Sequence, residues 1–112
     1  MFELLISFTL LMNAERAVPL MPDLVLTERA AKRAEYLCTN NQFSHDGWIQ
    51  SFKGLKVSWV GENLARGFAT PQLAHQALMK SPTHKANIVK LPHKKMGVAK
   101  GKCGVIVQLF SN

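Results

Sequence analysis

The sequence has no apolar run long enough to cross a bilayer, few acidic residues and only two cysteines. Its most apolar stretch, residues 1–12, is shorter than the roughly 20 residues that a membrane-spanning helix needs. Glu3 stands where an export signal carries positive charge, and no small-x-small cleavage site follows. We therefore expect a buried helix that continues to Arg16, and not a signal sequence.

The shortage of acidic residues makes the chain basic. Seven Asp and Glu stand against 14 Lys and Arg, which gives a formal net charge of +7. The basic residues are scattered over the segments 29–33, 53–56, 80–95 and 100–102. No helix-turn-helix, zinc-finger or single-strand-binding motif accompanies them. We therefore expect attraction to an anionic surface such as a membrane or a cell-wall polymer, and not a nucleic-acid partner.

The two cysteines, Cys38 and Cys103, lie far apart and form no C-x-x-C pair, which argues against a thiolate metal site. Two alternatives stay open: two buried thiols, or a disulfide that would stabilise the fold by roughly 4 kcal/mol in the chain-entropy model. Neither cysteine has a histidine nearby in sequence, and no serine lies in a G-x-S-x-G turn. The glycines form no phosphate-binding loop. Nucleophilic catalysis therefore has no support.

A strongly amphipathic helix is predicted over residues 26–37, where apolar residues recur every three or four positions. Asp23 or Thr27 can cap its start. The segment 39–41, Thr-Asn-Asn, predicts its end. An irregular loop is expected over residues 42–54, and it contains His45.

Two further helices are predicted from hydroxyl residues that precede a proline, Thr70 and Ser81. The second should end near Val89, before another proline. His75 is expected to face solvent on the first of these helices. His93 follows a proline and is expected in a loop without a functional partner.

Three strands are predicted. Residues 55–59 alternate apolar and polar side chains, so they indicate a strand that ends at Gly61, with Glu62 just after it. Residues 96–99 and 105–110 are expected to form a hairpin. Helices come first and most strands last, which predicts a single α+β domain with a small antiparallel sheet covered by helices.

Two histidines and a glutamate are the candidate site residues: His45, Glu62 and His84. Two imidazoles, a carboxylate and water match an open zinc site. The gaps of 17 and 22 residues exceed what one helix could bring together, so spacing alone does not establish a metal site. His84 falls in the first turn of its helix, where the positive end of the helix dipole favours a neutral ring. A hydrogen-bond network without metal, pinning loop 42–54 to the helix starts, is the other possibility.

Several motifs in one order resemble a known family, the CAP domain of cysteine-rich secretory, antigen 5 and pathogenesis-related-1 proteins. The short form found in bacteria and their phages is the most similar. The matching blocks are N-x-x-R at 13–16, L-x-x-x-A-x-x-x-A in 26–37, F-S-H-D-G at 43–47, G-E-N-L-A at 61–65 and S-P-T-H-K-A-N-I at 81–88. The resemblance covers nearly all of residues 1–112 and implies one α-β-α sandwich.

The resemblance also implies a central cleft into which His45, Glu62 and His84 project. In such domains the two histidines can hold zinc or another divalent ion, while acidic residues surround them. Glu62 would then act behind the metal ligands or as a general base. Larger relatives carry a second glutamate on the helix before the last histidine, where this chain has Leu-Met-Lys-Ser at 78–81.

Two functions follow from the resemblance. The first is a monomeric, extracellular or envelope-associated binding module whose cleft holds a metal and a peptide, a lipid or a cell-wall fragment. The second is a metal-assisted hydrolase, acting on peptide bonds with help from Glu62. The incomplete acidic set and the absence of a nucleophile favour the first.

Overall fold

A four-stranded sheet forms the centre of the computed structural model, which describes residues 2–112. Its strands are β1 (Met21–Pro22), β2 (Val60–Ala65), β3 (Lys95–Lys100) and β4 (Ile106–Ser111). They are arranged in the order β1-β3-β4-β2, with β1 parallel to β3 and the other neighbours antiparallel. Strand β2 therefore lies at an edge of the sheet, where side chains from the layers on both faces can meet.

Four helices cover the sheet: α1 (Glu3–Asn13), α2 (Leu24–Thr39), α3 (Pro71–Met79) and α4 (Pro82–Val89). A short 3-10 helix, Trp48–Phe52, lies in the loop between α2 and β2. Helix α2 packs on one face of the sheet, and the other three helices pack on the opposite face. The predicted α+β class and the α-β-α sandwich are confirmed.

The starts of α2 and α3 follow the predicted capping chemistry. The Asp23 carboxylate accepts a hydrogen bond from the amide of Leu26 at 2.8 Å. The Thr70 hydroxyl accepts one from the amide of Leu73 at 3.2 Å. These bonds satisfy amide groups that have no partner inside the first helical turn. Helix α4 begins at Pro82 and ends at Val89, as predicted from Pro82 and Pro92.

Helix α1 ends at Asn13, before the predicted end at Arg16. The Asn13 side chain bonds both the amide and the carbonyl of Leu20, at 2.7 and 3.0 Å, and so fastens the returning chain. Arg16 lies outside the helix, and its guanidinium donates to backbone carbonyls in the last turn of α4 and in the segment that follows it. These acceptors are Ile88, Lys90 and His93, at 2.7 to 2.9 Å. The N-x-x-R motif thus ties the end of α1 to that segment.

Two hydrophobic cores lie on opposite faces of the sheet. The first, beneath α1, α3 and α4, contains Leu5, Phe8, Met12, Leu20, Ala65, Ala74, Leu78, Ile88, Met96, Val98, Ile106 and Phe110. The second, beneath α2, contains Leu26, Ala30, Ala34, Leu37, Phe52, Leu64, Val105, Val107 and Leu109. Successive side chains of β4 enter alternate cores, because neighbouring residues of a strand point to opposite faces. Every residue of β4 is therefore buried.

The prediction of a strand over residues 55–59 was wrong. The strand is β2 at 60–65, so Glu62 lies inside it and not after it. Both faces of β2 are covered, so its sequence lacks the alternation of a half-exposed strand. Residues 55–59 are an irregular approach in which Leu55 and Val57 pack against the second core while Trp59 stays exposed. The hairpin of β3 and β4 is confirmed. Strand β1, the fourth, was missed because two residues carry no periodic signal.

Cys38 and Cys103 form a disulfide, which decides between the two alternatives left by the sequence. Their Cα atoms are 5.5 Å apart, and 65 positions separate them in the chain. The bond joins the end of α2 to the loop between β3 and β4. Gly101 lets that loop approach, because a Cβ there would lie 2.5 Å from the sulfur of Cys38 and 3.0 Å from the carbonyl oxygen of Ala34.

Helix α1 is packed on one side only. Leu5, Phe8 and Met12 are buried in the first core, as predicted, while Ile6 and Leu10 are exposed. No helix within residues 2–112 is long and apolar enough to cross a membrane. The radius of gyration is 12.6 Å, close to the value of about 13 Å typical of a folded domain of this length.

Removing the disulfide should destabilise the domain. We expect Cys38→Ala/Cys103→Ala to lower the free energy of unfolding by about 4 kcal/mol, since the unfolded chain regains the entropy of a long open loop. Urea unfolding followed by circular dichroism measures this change. Reduced wild-type protein should match the variant, and equal stability of oxidised and reduced protein would contradict the prediction.

Candidate functional site

Glu62 is the centre of the candidate site. Its side chain points from β2 toward α2, where one carboxylate oxygen accepts a hydrogen bond from Nε of Arg33 at 2.9 Å. The other oxygen lies 2.8 Å from Nδ1 of His45. The side chains of Glu62 and Arg33 are only 1% and 5% exposed, while that of His45 is 53% exposed. A buried ion pair thus supports a histidine that faces solvent.

Arg33 was not singled out by the sequence analysis. Its Nη2 donates to the carbonyl of Ser44 at 3.0 Å and lies 3.5 Å from Glu62, so one guanidinium contacts both the strand and the loop. A signal for this role existed in the sequence. Arg33 falls on the buried stripe of α2, between Ala30 and Leu37, and a charged residue on such a stripe needs a buried partner.

The loop that carries His45 is held by its own hydrogen bonds. The Gln42 amide donates to the Ser44 hydroxyl at 2.9 Å and to the Asp46 carbonyl at 3.3 Å. Gly47 follows with a φ of 79°, a left-handed conformation that glycine adopts without strain. Since the Glu62 carboxylate can only accept, the proton of His45 lies on Nδ1 when the ring is neutral. The Nε2 lone pair of His45 is then available.

His84 lies in the first turn of α4, as predicted. The Ser81 side chain does not cap the helix; its hydroxyl lies 2.7 Å from Nδ1 of His84 instead. Burial, followed by the proximity of the His45 imidazole, lowers the pKa of His84 below its usual value of 6.5. The ring of His84 is therefore neutral, as expected, but the cause is burial and the neighbouring His45 and not the helix dipole. Nε2 of His84 has no hydrogen-bond partner within residues 2–112.

Side-chain amides fix α4 against β2. Asn87 donates to the carbonyl of Glu62 at 3.1 Å and to the side chain of Asn63 at 2.9 Å. Asn63 donates in turn to the carbonyl of His84 at 3.1 Å. Gly61 makes room for this contact, because a Cβ there would lie 2.8 Å from the amide oxygen of Asn87. The G-E-N block therefore docks the helix that carries His84.

The site is assembled around the edge of the sheet. Glu62 and Asn63 are neighbours in β2, so their side chains point to opposite faces. Glu62 contacts Arg33 and the loop of His45 on the α2 side, and Asn63 contacts α4 on the other side. His45 and His84 thus come from two different layers, and each is held through its Nδ1.

The donor set suits a metal only in part. Among residues 2–112, no cluster of three histidine, cysteine, aspartate or glutamate side chains is placed to hold a metal ion. Both oxygens of Glu62 are occupied by Arg33 and His45. The two Nε2 atoms of His45 and His84 are the available donors. Two imidazoles fit a labile site completed by water or ligand, and they do not fit a closed four-ligand structural zinc site.

The other two histidines lie elsewhere, and the expectation about His75 was wrong. His75 is buried and not solvent-facing, because it packs toward α1 with Nε2 3.5 Å from the carboxylate of Glu15. His93 lies in a loop, as expected, but its ring is fully buried and hydrogen-bonded. Its Nδ1 lies 3.0 Å from the carbonyl of Asn87, and its ring stacks on Phe110 at 5.3 Å. Tertiary packing produced both outcomes.

Comparisons with known proteins agree with this architecture. The model of the cysteine-rich secretory protein family, CAP, matches residues 13–110. The uncharacterized protein YkwD of Bacillus subtilis (strain 168) is 31% identical over 108 residues, which cover 86% of this chain and 42% of that protein. The chain thus spans less than half the length of this relative.

Two solved structures share the fold. An outer surface protein of Borrelia burgdorferi superposes with a TM-score of 0.81 at 22% identity, covering 97% of this chain and 89% of that one. An extracellular protein containing an SCP domain from Bacillus anthracis str. Ames also gives 0.81, at 21% identity, over 100% of this chain and 40% of that one. At these identities the likeness shows the fold alone.

The buried ion pair predicts strong energetic coupling. We expect Arg33→Met and Glu62→Leu each to lower the free energy of unfolding by about 3–5 kcal/mol, because each leaves a buried charge without its partner. The double variant should lose much less than the sum of the two. A double-mutant cycle in urea measures the coupling.

The exposed pair of Lys32 and Glu28 on the same helix, 3.5 Å apart, is the matched control. The Lys32→Met/Glu28→Leu cycle should give a coupling of about 0.3–0.5 kcal/mol. Equal coupling in the two cycles would contradict the structural role of Arg33.

Stability should fall in mild acid. Burial lowers the pKa of both His84 and His93, so the unfolded chain takes up these protons first as the pH drops below about 6.5. Stability is complete above that pH and decreases below it. We expect the free energy of unfolding to stay constant from pH 7.5 to about 6.5 and to decline from there to pH 5, with a shallower decline in His84→Gln/His93→Gln. Lys102→Gln should keep the wild-type slope, and an unchanged slope in the double variant would refute the assignment.

Proposed function

Because this chain belongs to the cysteine-rich secretory protein family, we propose that it is a binding domain whose site holds a divalent metal between His45 and His84. The proposal rests on a hydrogen-bonding pattern that the imidazole rings of His45 and His84 share. Each has Nδ1 engaged, by Glu62 or by Ser81, and each keeps Nε2 without a hydrogen bond in the part of the chain that the structure describes.

The chemistry of both rings supports a metal ligand. A ligating imidazole commonly donates its second nitrogen to a carboxylate or another acceptor, which fixes the tautomer and the ring orientation. Glu62 supplies that acceptor for His45. The lowered pKa of His84 keeps its ring neutral, so protons compete weakly for its lone pair. When bound, a metal would supply a Lewis acid that polarises an oxygen of a ligand.

We assign Glu62 the role of positioning His45, and not that of a general base. A general base needs an oxygen within hydrogen-bond distance of the proton that it removes. Both oxygens of Glu62 are occupied by Arg33 and His45, and the side chain is 1% exposed. This arrangement favours the binding module over the hydrolase alternative.

Localisation outside the cytoplasm belongs to the same proposal. The two structural relatives are described as an outer surface protein and an extracellular protein. The Cys38–Cys103 disulfide supports such a compartment, because disulfides persist in oxidising environments. The net charge of +7 favours an anionic envelope surface. We propose that the domain acts there as a monomer on a peptide, a lipid or a cell-wall fragment.

Zinc titration tests the metal site. We expect calorimetry to detect one zinc ion per wild-type chain, and His45→Ala and His84→Ala each to abolish that binding. Glu62→Gln should weaken it by about 10- to 100-fold, as changes behind metal ligands do. Asp46→Asn is the matched control, since Asp46 is an exposed acidic neighbour of His45 without a role in the site.

Wild-type protein without measurable zinc affinity, or unchanged affinity in both alanine variants, would overturn the metal site. Turnover of a peptide library by zinc-loaded wild type, lost in Glu62→Gln under saturating zinc, would instead establish the hydrolase. Binding of purified wall fragments without turnover is the result expected of a binding module.

A further inference from the structure

A separate cavity of about 590 Å³ lies between α2 and the 3-10 helix. Its volume falls within the range of about 300–1,000 Å³ that is usual for small-molecule sites. None of His45, Glu62 and His84 lines it. Glu28 pairs with Lys32, and Glu62, outside the cavity, pairs with Arg33. The lining remains cationic, because it contains the one carboxylate of Glu28 and four cationic side chains. These are Arg29, Lys32, Arg33 and Lys53.

Arg33 presents a free donor to this cavity. Its Nε and Nη2 are committed to Glu62 and to the carbonyl of Ser44. Its Nη1 has no hydrogen-bond partner among residues 2–112. This atom is not one of the fully buried unpartnered atoms, so it is accessible although the side chain as a whole is only 5% exposed. Gly47 borders this nitrogen: a Cβ at that position would make van der Waals contact with Nη1 at 3.9 Å, and its absence leaves that space open. A guanidinium with one unpartnered nitrogen can donate a charge-assisted hydrogen bond to an anion.

The walls of the cavity are fastened to each other. Arg29 on α2 donates to the carbonyls of Ser51 and Lys53, at 3.1 and 2.8 Å, and thereby fixes the 3-10 helix against α2. The half-exposed ring of Tyr36, 5.9 Å from the guanidinium carbon of Arg33, adds a flat apolar wall. The cavity therefore needs little rearrangement to accept a ligand, which lowers the entropic cost of binding.

We propose that this cavity binds a small molecule through a carboxylate or phosphate group, with Nη1 of Arg33 as the central donor. Lys32 and Lys53 supply the surrounding positive charge, and the body of the ligand packs against Tyr36. The two anionic groups share the chemistry that a guanidinium recognises. The two sites share Arg33 but use different nitrogens of it: Nη1 faces the cavity, whereas Nε and Nη2 hold Glu62 and the loop of His45. Anion binding does not require the metal that the proposed function assigns to His45 and His84.

Nuclear magnetic resonance titration with sodium phosphate, and separately with sodium acetate, tests this site against sodium chloride of equal ionic strength. We expect saturable shifts in the amides of residues 29–36 and 47–53, and the stronger of the two anions identifies the preferred group. Lys32→Gln/Lys53→Gln should weaken binding at least tenfold. Lys94→Gln/Lys102→Gln removes the same charge elsewhere and should keep the wild-type dissociation constant.

Arg33→Lys keeps the positive charge but removes the Nη1 donor, so it should also weaken binding. If that variant fails to fold, the two double-lysine variants decide the question. Equal weakening in both double variants, or shifts that chloride reproduces, would mean non-specific attraction and would overturn the site. Anion-induced shifts confined to the amides of residues 82–88, with none in residues 29–36, would place the anion at the histidine site and would equally overturn the proposal.

Discussion

The ion pair between Arg33 and Glu62 is the contact on which the rest of the site depends. Two charges removed from water cost several kcal/mol each unless their mutual attraction and further hydrogen bonds offset that loss. Here Arg33 also bonds the carbonyl of Ser44, and Glu62 also bonds His45. One pair of side chains therefore joins helix α2, strand β2 and the loop that carries His45. This contact orients that histidine while its outer nitrogen stays free.

The position of β2 at the sheet edge explains how two layers contribute to one site. A strand in the middle of a sheet separates the helices on its two faces, whereas an edge strand lets their ends meet around it. Such an edge also exposes unpaired backbone groups. Asn87 of α4 bonds the carbonyl of Glu62, so the helix that presents His84 also covers the edge. The contact between Asn87 and Glu62 thus both positions the helix of His84 and covers the edge of the sheet.

Much of the local structure was predictable, and the failures share a cause. The prolines after Thr70 and Ser81 predicted the starts of α3 and α4, and the spacing of apolar residues predicted α2. Both kinds of signal depend only on residues close together in the sequence. The strand of Glu62 was misplaced because burial on both faces removes the alternation that marks a strand. Arg33 was overlooked, although its place on an apolar stripe indicated a buried partner. His75 was expected in solvent, and only the packing of α3 against α1 buries it.

The sequence by itself determined the family, the fold class, the helix starts and the placement of His84 in a first helical turn, because each depends on local chemistry or on an ordered set of motifs. Only the tertiary structure decided that Cys38 bonds Cys103, that Glu62 is held by Arg33, and that both histidines keep their outer nitrogens free. The first two outcomes join residues 65 and 29 positions apart. Their partners are chosen by the packing of two helical layers against one sheet, and no local pattern records that choice.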